Sequence, residues 1–403
     1  MSNIINTYTL AGAALTGDAR PYVYGVCGLE NGTGWQKTSL ERYSRILDSP
    51  EDVKPHFNTK ISLGGWNSVD PGVSPAGDTV SDNMRDEVYQ AHLNGFKNRL
   101  TFVGLETALL GTQSLAHYVT ANVTQYVNCV TSIINAIELE GSITTTWGET
   151  YTYPGVLVDA LEIDSEPDVS FKVLGGTADG WATFATSAMV RIKEWRTSLK
   201  PNSPIRLGGC GISSWKGQEW FDALFKHYAL SGFSPEEITV HQYGNPAKHM
   251  ESHDPQGFVN KLGKYRGVSD FDVILTEWNI EKTSEVLSIT SPTVDNHVGA
   301  AYVASMDMAS VTSKTPTQYS FLHDKDHSNY IESYTGKSSG FHGSRGSVKP
   351  NWFARTTTAG IRNPLKPVFV PGSTSATSAN DHISVLVEEV NPYKLKIVAA
   401  NYS

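Results

Sequence analysis

Eight strand-like runs recur along most of the chain, and that recurrence constrains the fold more than any other feature. They are residues 21–28, 60–66, 99–105, 156–164, 205–210, 238–243, 271–276 and 318–323. Helical periodicity occupies 82–93, 114–138, 181–199, 218–228, 255–265 and 298–311 between them. Ser81 stands as a cap before the first of these helices, and Asp254 with Pro255 opens the fifth. Strands that alternate with helices need crossover connections, and crossovers make neighbouring strands parallel. Eight such units over roughly 340 residues, against the ~250 of a typical example, predict an α/β chain folded as a (β/α)8 TIM barrel with long loops. An open doubly wound sheet is the competing arrangement.

The barrel is expected over 18–362. Beyond Lys349-Pro350-Asn351-Trp352, which should open a last helix, the pattern turns to β. Residues 364–370 read as extended, 372–379 as a Ser/Thr-rich loop, and 382–387 with 395–400 as a strand pair. The expectation is a small accessory β-strand domain made of 363–403 and 1–17, with the run 7–15 completing it.

A formal net charge of −9 and a pI near 5.7 argue against nucleic acid or an anionic membrane surface as partner. Cys27, Cys129 and Cys210 are too scattered for a disulfide framework or a zinc site, and read as small buried residues. Residues 1–10 lack a basic region followed by an apolar run, so no signal peptide is legible, and no stretch reaches membrane-spanning length.

In a barrel every strand's C-terminal end opens on one face, and that face carries the chemistry. Glu166 follows the fourth run and is itself followed by Pro167, which cannot continue a ladder and biases its predecessor towards extended geometry. The glutamate is thus presented where strand gives way to loop. Glu277 closes the seventh run in the same way. Two carboxylates across a pocket are the minimum equipment for glycoside hydrolysis: one protonates the leaving oxygen while the other attacks the anomeric carbon or activates water.

Plainer readings stand beside each of these. A strand-end glutamate also serves as a cap or ion-pair partner, His241 as a hydrogen-bonded core residue, Tyr243 as a strand-end aromatic, and Ser165 as a turn residue before proline. Trp66, Trp215 and Trp278 fall on the active face, where an aromatic ring stacks on a sugar, though Trp66 and Trp215 read equally as core. Trp181, Trp195 and Trp220 sit in helical patterns and read as core. The run His323-Asp324-Lys325-Asp326-His327 is rich in metal-ligand types, but a polar loop explains it as well; His323 is kept as a substrate contact, and no metal or other cofactor is expected.

Three motifs carry a resemblance. Ile163-Asp164-Ser165-Glu166-Pro167 resembles the Asn-Glu-Pro motif that ends strand four in clan A glycoside hydrolases. Leu275-Thr276-Glu277-Trp278-Asn279 resembles their nucleophile motif on strand seven, and His241-Gln242-Tyr243 their His-x-Tyr element on strand six. The wording is nearest family 39 and is also similar to families 51 and 79. The resemblance implies a retaining mechanism with Glu166 as acid/base and Glu277 as nucleophile. It also implies Tyr243 donating a hydrogen bond to Glu277, and carboxyl groups about 5–5.5 Å apart, where an inverting pair stands about 6.5–9.5 Å apart. Glu166 would have to be buried enough to hold its proton until the bond breaks. One departure bears on the substrate: Ser165 occupies the place of the family's asparagine, which would contact the hydroxyl beside the anomeric carbon.

The expected function is therefore retaining hydrolysis of a β-type linkage in a poly- or oligosaccharide, with transglycosylation as a variant of its second step. A non-catalytic carbohydrate-binding protein on a hydrolase-like barrel is the rival from another class. A metal-dependent hydrolase built on 323–327 is a third reading. A polymeric substrate implies an extracellular or periplasmic setting, for which the sequence carries no export signal.

Overall fold

A computed structural model describes residues 8–14, 23–30, 56–62, 82–103, 123–138, 140–144, 150–173, 175–214, 217–244, 271–280, 317–320, 364–369, 382–391 and 394–402. In chain order the first elements are β1 (Tyr8–Ala14), β2 (Val23–Glu30), β3 (His56–Ser62), α1 (Asp82–Leu93) and β4 (Lys97–Val103). There follow α2 (Val123–Ile137), a hairpin of β5 (Glu140–Thr144) and β6 (Thr150–Pro154), β7 (Ala160–Glu162), α3 (Pro167–Val173) and α4 (Ala178–Leu199). The remainder are β8 (Arg206–Gly209), α5 (Gln218–Ser231), β9 (Glu237–Gly244), β10 (Asp272–Ile280), β11 (Thr317–Ser320), β12 (Pro364–Phe369), β13 (His382–Asn391) and β14 (Lys394–Tyr402).

Eight strands form one parallel sheet in the order β8-β7-β4-β3-β2-β11-β10-β9. Sequential strands are neighbours throughout, and the last, β11, lies beside the first, β2. A doubly wound sheet would instead reverse direction at an interior switch point. The two outermost strands are joined in turn: Ile212, just past β8, bridges to Val240 of β9, and the His241 amide donates to the Ile212 carbonyl at 2.8 Å. This bridge links the two edges of the sheet. Separately, β1 pairs antiparallel with β12, which continues through β13 to β14 as a four-stranded sheet.

Local sequence explains the helices. In α2, Val123, Tyr126, Val127, Val130, Ile133, Ile134 and Ile137 recur at three- and four-residue intervals and are all buried. In α4 the Thr177 side chain accepts from the Gly180 amide as an N-cap, and α5 ends on Gly232 in the left-handed region at φ 67°. Trp181 and Trp220, one from each of these helices, are buried against each other, and Trp195 packs half-buried on the same core. Cys129 and Cys210 are buried free thiols. Among the described residues no helix is long and apolar enough to cross a membrane.

Several boundaries differ from expectation. The fourth barrel strand is shorter than 156–164: Val156 is exposed, and the amides of Leu157 and Val158 donate to the buried Glu138 carboxylate at 3.0 and 2.9 Å instead of joining a ladder. The second strand begins at His56 rather than at 60. The β5–β6 hairpin was not anticipated. The helices expected at 255–265 and 298–311 lie outside the described residues.

Candidate active site

Glu166 sits between β7 and α3, and its backbone differs from what the following proline predicts. Its φ is 56°, in the left-handed region that costs an L-residue roughly 1–2 kcal/mol, rather than extended. Hydrogen bonds on both sides hold it there. Its amide donates to the Gly211 carbonyl at 2.8 Å, and its own carbonyl accepts from the amides of Val169 and Ser170, both at 2.9 Å. The first turn of α3 and the segment after β8 therefore dictate the geometry, and the result aims the side chain at β9.

Glu277 arrives by a different device. Leu275 of β10 pairs with Val240 of β9 and Glu277 pairs with His241, so Thr276 is an extra residue, a β-bulge. Regular alternation would send Thr276 and Glu277 to opposite faces. Here the Thr276 hydroxyl donates to Glu162 of β7 at 2.7 Å, while Glu277 Oε1 lies 3.5 Å from His241 Nε2. Since β7 and β10 are not neighbours in the sheet, the Thr276–Glu162 bond spans its interior.

His241 is the hub, wholly buried. Nδ1 lies 3.1 Å from Glu166 Oε1, and Nε2 faces both Glu277 and, at 3.7 Å, Glu162 Oε1. Burial works against a charged ring, but Glu277, Glu162 and Glu166 outweigh it and push His241 up to about 10. At neutral pH the ring is an imidazolium, and both nitrogens are donors. Burial likewise works against an ionised Glu162, yet His241, Arg99 and Thr239 bring its carboxyl below the usual value.

Glu166, His241 and Glu277 each offer one side-chain atom such that all three lie within 4.8 Å of one another. Among the described residues this is a cluster that metal-ligand spacing would admit. With the ring protonated on both nitrogens, the three groups form a proton network.

Ser165 is half-buried beside Glu166, its amide donating to Asp164 Oδ1 at 2.8 Å, and Asp164 in turn accepts from the Trp181 indole at 3.0 Å. The side chain of Glu166 is about a third exposed at 35%, more open than expected of a buried acid. Tyr243 and Trp278 belong to β9 and β10, two positions after His241 and one after Glu277. Trp66, Trp215 and His323 lie outside the described residues. Three interior groups escaped the sequence reading: Glu162, Thr276 and Thr101, whose hydroxyl lies 3.1 Å from Glu162 Oε1 and 2.8 Å from Asn58 Oδ1. A glutamate within an otherwise apolar run was the available signal for Glu162.

The sequence matches no family model and no curated protein. Solved structures do match by fold. A glucosidase from Croceicoccus marinus aligns over 100% of this chain and 79% of its own, at a TM-score of 0.63 and 14% identity. A family 39 glycoside hydrolase from Bacteroides cellulosilyticus aligns over 92% and 68%, at 0.55 and 17%. The family 39 enzyme from Xanthomonas axonopodis pv. citri aligns over 98% and 75%, at 0.56 and 14%. What is shared is the fold. This chain has the (β/α)8 architecture of those glycosidases.

Proposed function

We propose that the protein is a retaining glycoside hydrolase, with Glu277 as nucleophile and Glu166 as general acid/base. The observation that carries this reading is the meeting of the two glutamates. They stand well apart in sequence, yet one oxygen from each lies within 4.8 Å of the other, with His241 between them. Oxygens this close are in keeping with a retaining pair, whose carboxyl groups stand ~5–5.5 Å apart, more than with an inverting pair at ~6.5–9.5 Å, which leaves room for water.

In the first step Glu277 Oε attacks the anomeric carbon and the glycosidic C–O bond breaks. Glu166 passes its proton to the leaving oxygen. In the second step Glu166 takes a proton from water, whose oxygen displaces Glu277 and restores both carboxyls. The His241 imidazolium places positive charge beside Glu277, which favours that carboxylate in its ionised, attacking form. The third-exposed position of Glu166 suits a group that must meet both a leaving sugar and incoming water.

A β-linked poly- or oligosaccharide is the substrate class this reading takes, and β-glucosides head the panel because one structure of similar fold is a glucosidase. Ser165 is the residue at which sugar preference would depart from the family pattern, since a hydroxyl replaces the longer amide. The test is Glu277→Gln, which keeps the shape and removes the nucleophile. Turnover on a glycan panel should vanish, and NMR of the wild-type reaction should show the first-formed product with the anomeric configuration of the substrate. Undiminished hydrolysis by Glu277→Gln would overturn the assignment.

A further inference from the structure

Glu162 is a third carboxylate in the cluster, and the double displacement gives it no part. It is fully buried, and its two oxygens touch three different strands. Oε2 accepts from Thr276 of β10 at 2.7 Å; Oε1 lies 3.1 Å from the Thr101 hydroxyl of β4 and 3.7 Å from His241 Nε2 of β9. The fold makes room for it. At Gly211, a Cβ would fall 3.0 Å from both Cδ and Oε1 of Glu162.

We propose that Glu162 is a positioning residue for the Glu166/Glu277 pair: it fixes the His241 ring from below and, through Thr276, pins the β10 bulge that turns Glu277 into the same interior. The two arms are physically distinct. Towards His241 the link is an ion pair, 3.7 Å being too long for a hydrogen bond. Towards Thr276 it is a short hydrogen bond to a charged acceptor, stronger than a neutral one. A bulge leaves its extra residue without a ladder partner, so the Thr276 side chain is what ties that residue down. The groups facing His241 are Glu162 from β7, Glu166 from the segment before α3, and Glu277 from β10; Arg99 adds its charge at Glu162.

The proposal deepens the glycosidase reading, and its catalytic consequence rests on it. Glu162→Gln keeps the shape and removes the charge; Thr276→Val keeps the volume and removes the hydroxyl. With 15N-labelled histidine, the His241 signal of the wild-type chain should stay doubly protonated past pH 8. In Glu162→Gln its midpoint should fall by at least about one pH unit, whereas Thr276→Val should leave it nearly in place. On substrate, misplacement of the pair should lower kcat by up to about a hundredfold in either variant with KM little changed. The alkaline limb of the pH profile should move down in Glu162→Gln alone.

An unmoved His241 midpoint together with wild-type kcat per folded molecule in Glu162→Gln would overturn the proposal and leave the residue a packing element. If Glu162→Gln does not fold, unchanged kcat in Thr276→Val overturns the bulge arm, and a fall in kcat without a change in the histidine midpoint supports it. The histidine titration needs no substrate. Retained turnover in Glu277→Gln would therefore remove the hydrolase reading while leaving the Glu162–His241 coupling to be judged by itself.

Discussion

Replacing His241 by Asn should flatten the pH dependence of stability on the alkaline side of neutrality. In the folded chain burial opposes the imidazolium, but Glu277, Glu162 and Glu166 outweigh it and hold the proton up to about 10; in the unfolded chain the ring releases it near 6.5. Between those values the native state binds one proton more than the unfolded state, so stability is full below 6.5 and falls as pH rises towards 10. The whole span corresponds to about 5 kcal/mol. Only part of it is cleanly measurable. Burial raises the thiols of Cys129 and Cys210, and their release of protons in the unfolded chain adds a falling slope above about pH 8. The useful window is therefore about pH 6 to pH 8, where His241 accounts for a loss of about 2 kcal/mol. Denaturant unfolding followed by tryptophan fluorescence at several pH values in that window, on wild type and His241→Asn, isolates the difference. Equal slopes in the two proteins would refute the picture of a charged hub.

Gly211→Ala places a methyl group 3.0 Å from Glu162 and the Asp164 carbonyl, at a φ of 48°; it should cost about 1–3 kcal/mol in chemical denaturation and lower activity along with it. At Glu166 the left-handed φ of 56° predicts an order among inactive variants: Glu166→Gly should be more stable than Glu166→Ala by about 1 kcal/mol, and the reverse order by thermal melting would contradict the backbone geometry.

The barrel was legible because its strands are apolar runs at long intervals, a pattern that survives errors of several residues at each end. The helix Asp82–Leu93 was placed to the residue, and the seventh run at its start, although β10 continues past 276 to Ile280. Glu166 and Glu277 were legible for a related reason: each follows such an apolar run, and a parallel sheet brings the C-terminal parts of its strands to one side whatever their distance in sequence. The rest depended on tertiary partners. Pro167 predicts an extended Glu166, but the Gly211 carbonyl and the first turn of α3 impose the opposite sign of φ. Val156, Leu157 and Val158 have strand composition, yet the buried Glu138 takes two of their amides. The β5–β6 hairpin carried a signal, alternating Thr and Tyr in Thr150–Pro154, hidden by the longer helical pattern before it. The sequence leaves His241 open between core and site, because whether a strand histidine is a spacer or a charged hub depends on three carboxylates from other elements.

The join between β8 and β9 has a mechanical consequence. Every other pair of neighbouring strands in the sheet shares a ladder of paired residues, whereas β8 and β9 meet through the Ile212–Val240 bridge, the amides of His241 and Glu236 donating to the carbonyls of Ile212 and Leu207, and the Gly211 amide donating to the Thr239 hydroxyl. This seam, the one without a ladder, runs through the residue that gathers the glutamates. Warming should then loosen the seam while the remaining ladders persist, so that activity fades several degrees before circular dichroism reports any loss of secondary structure.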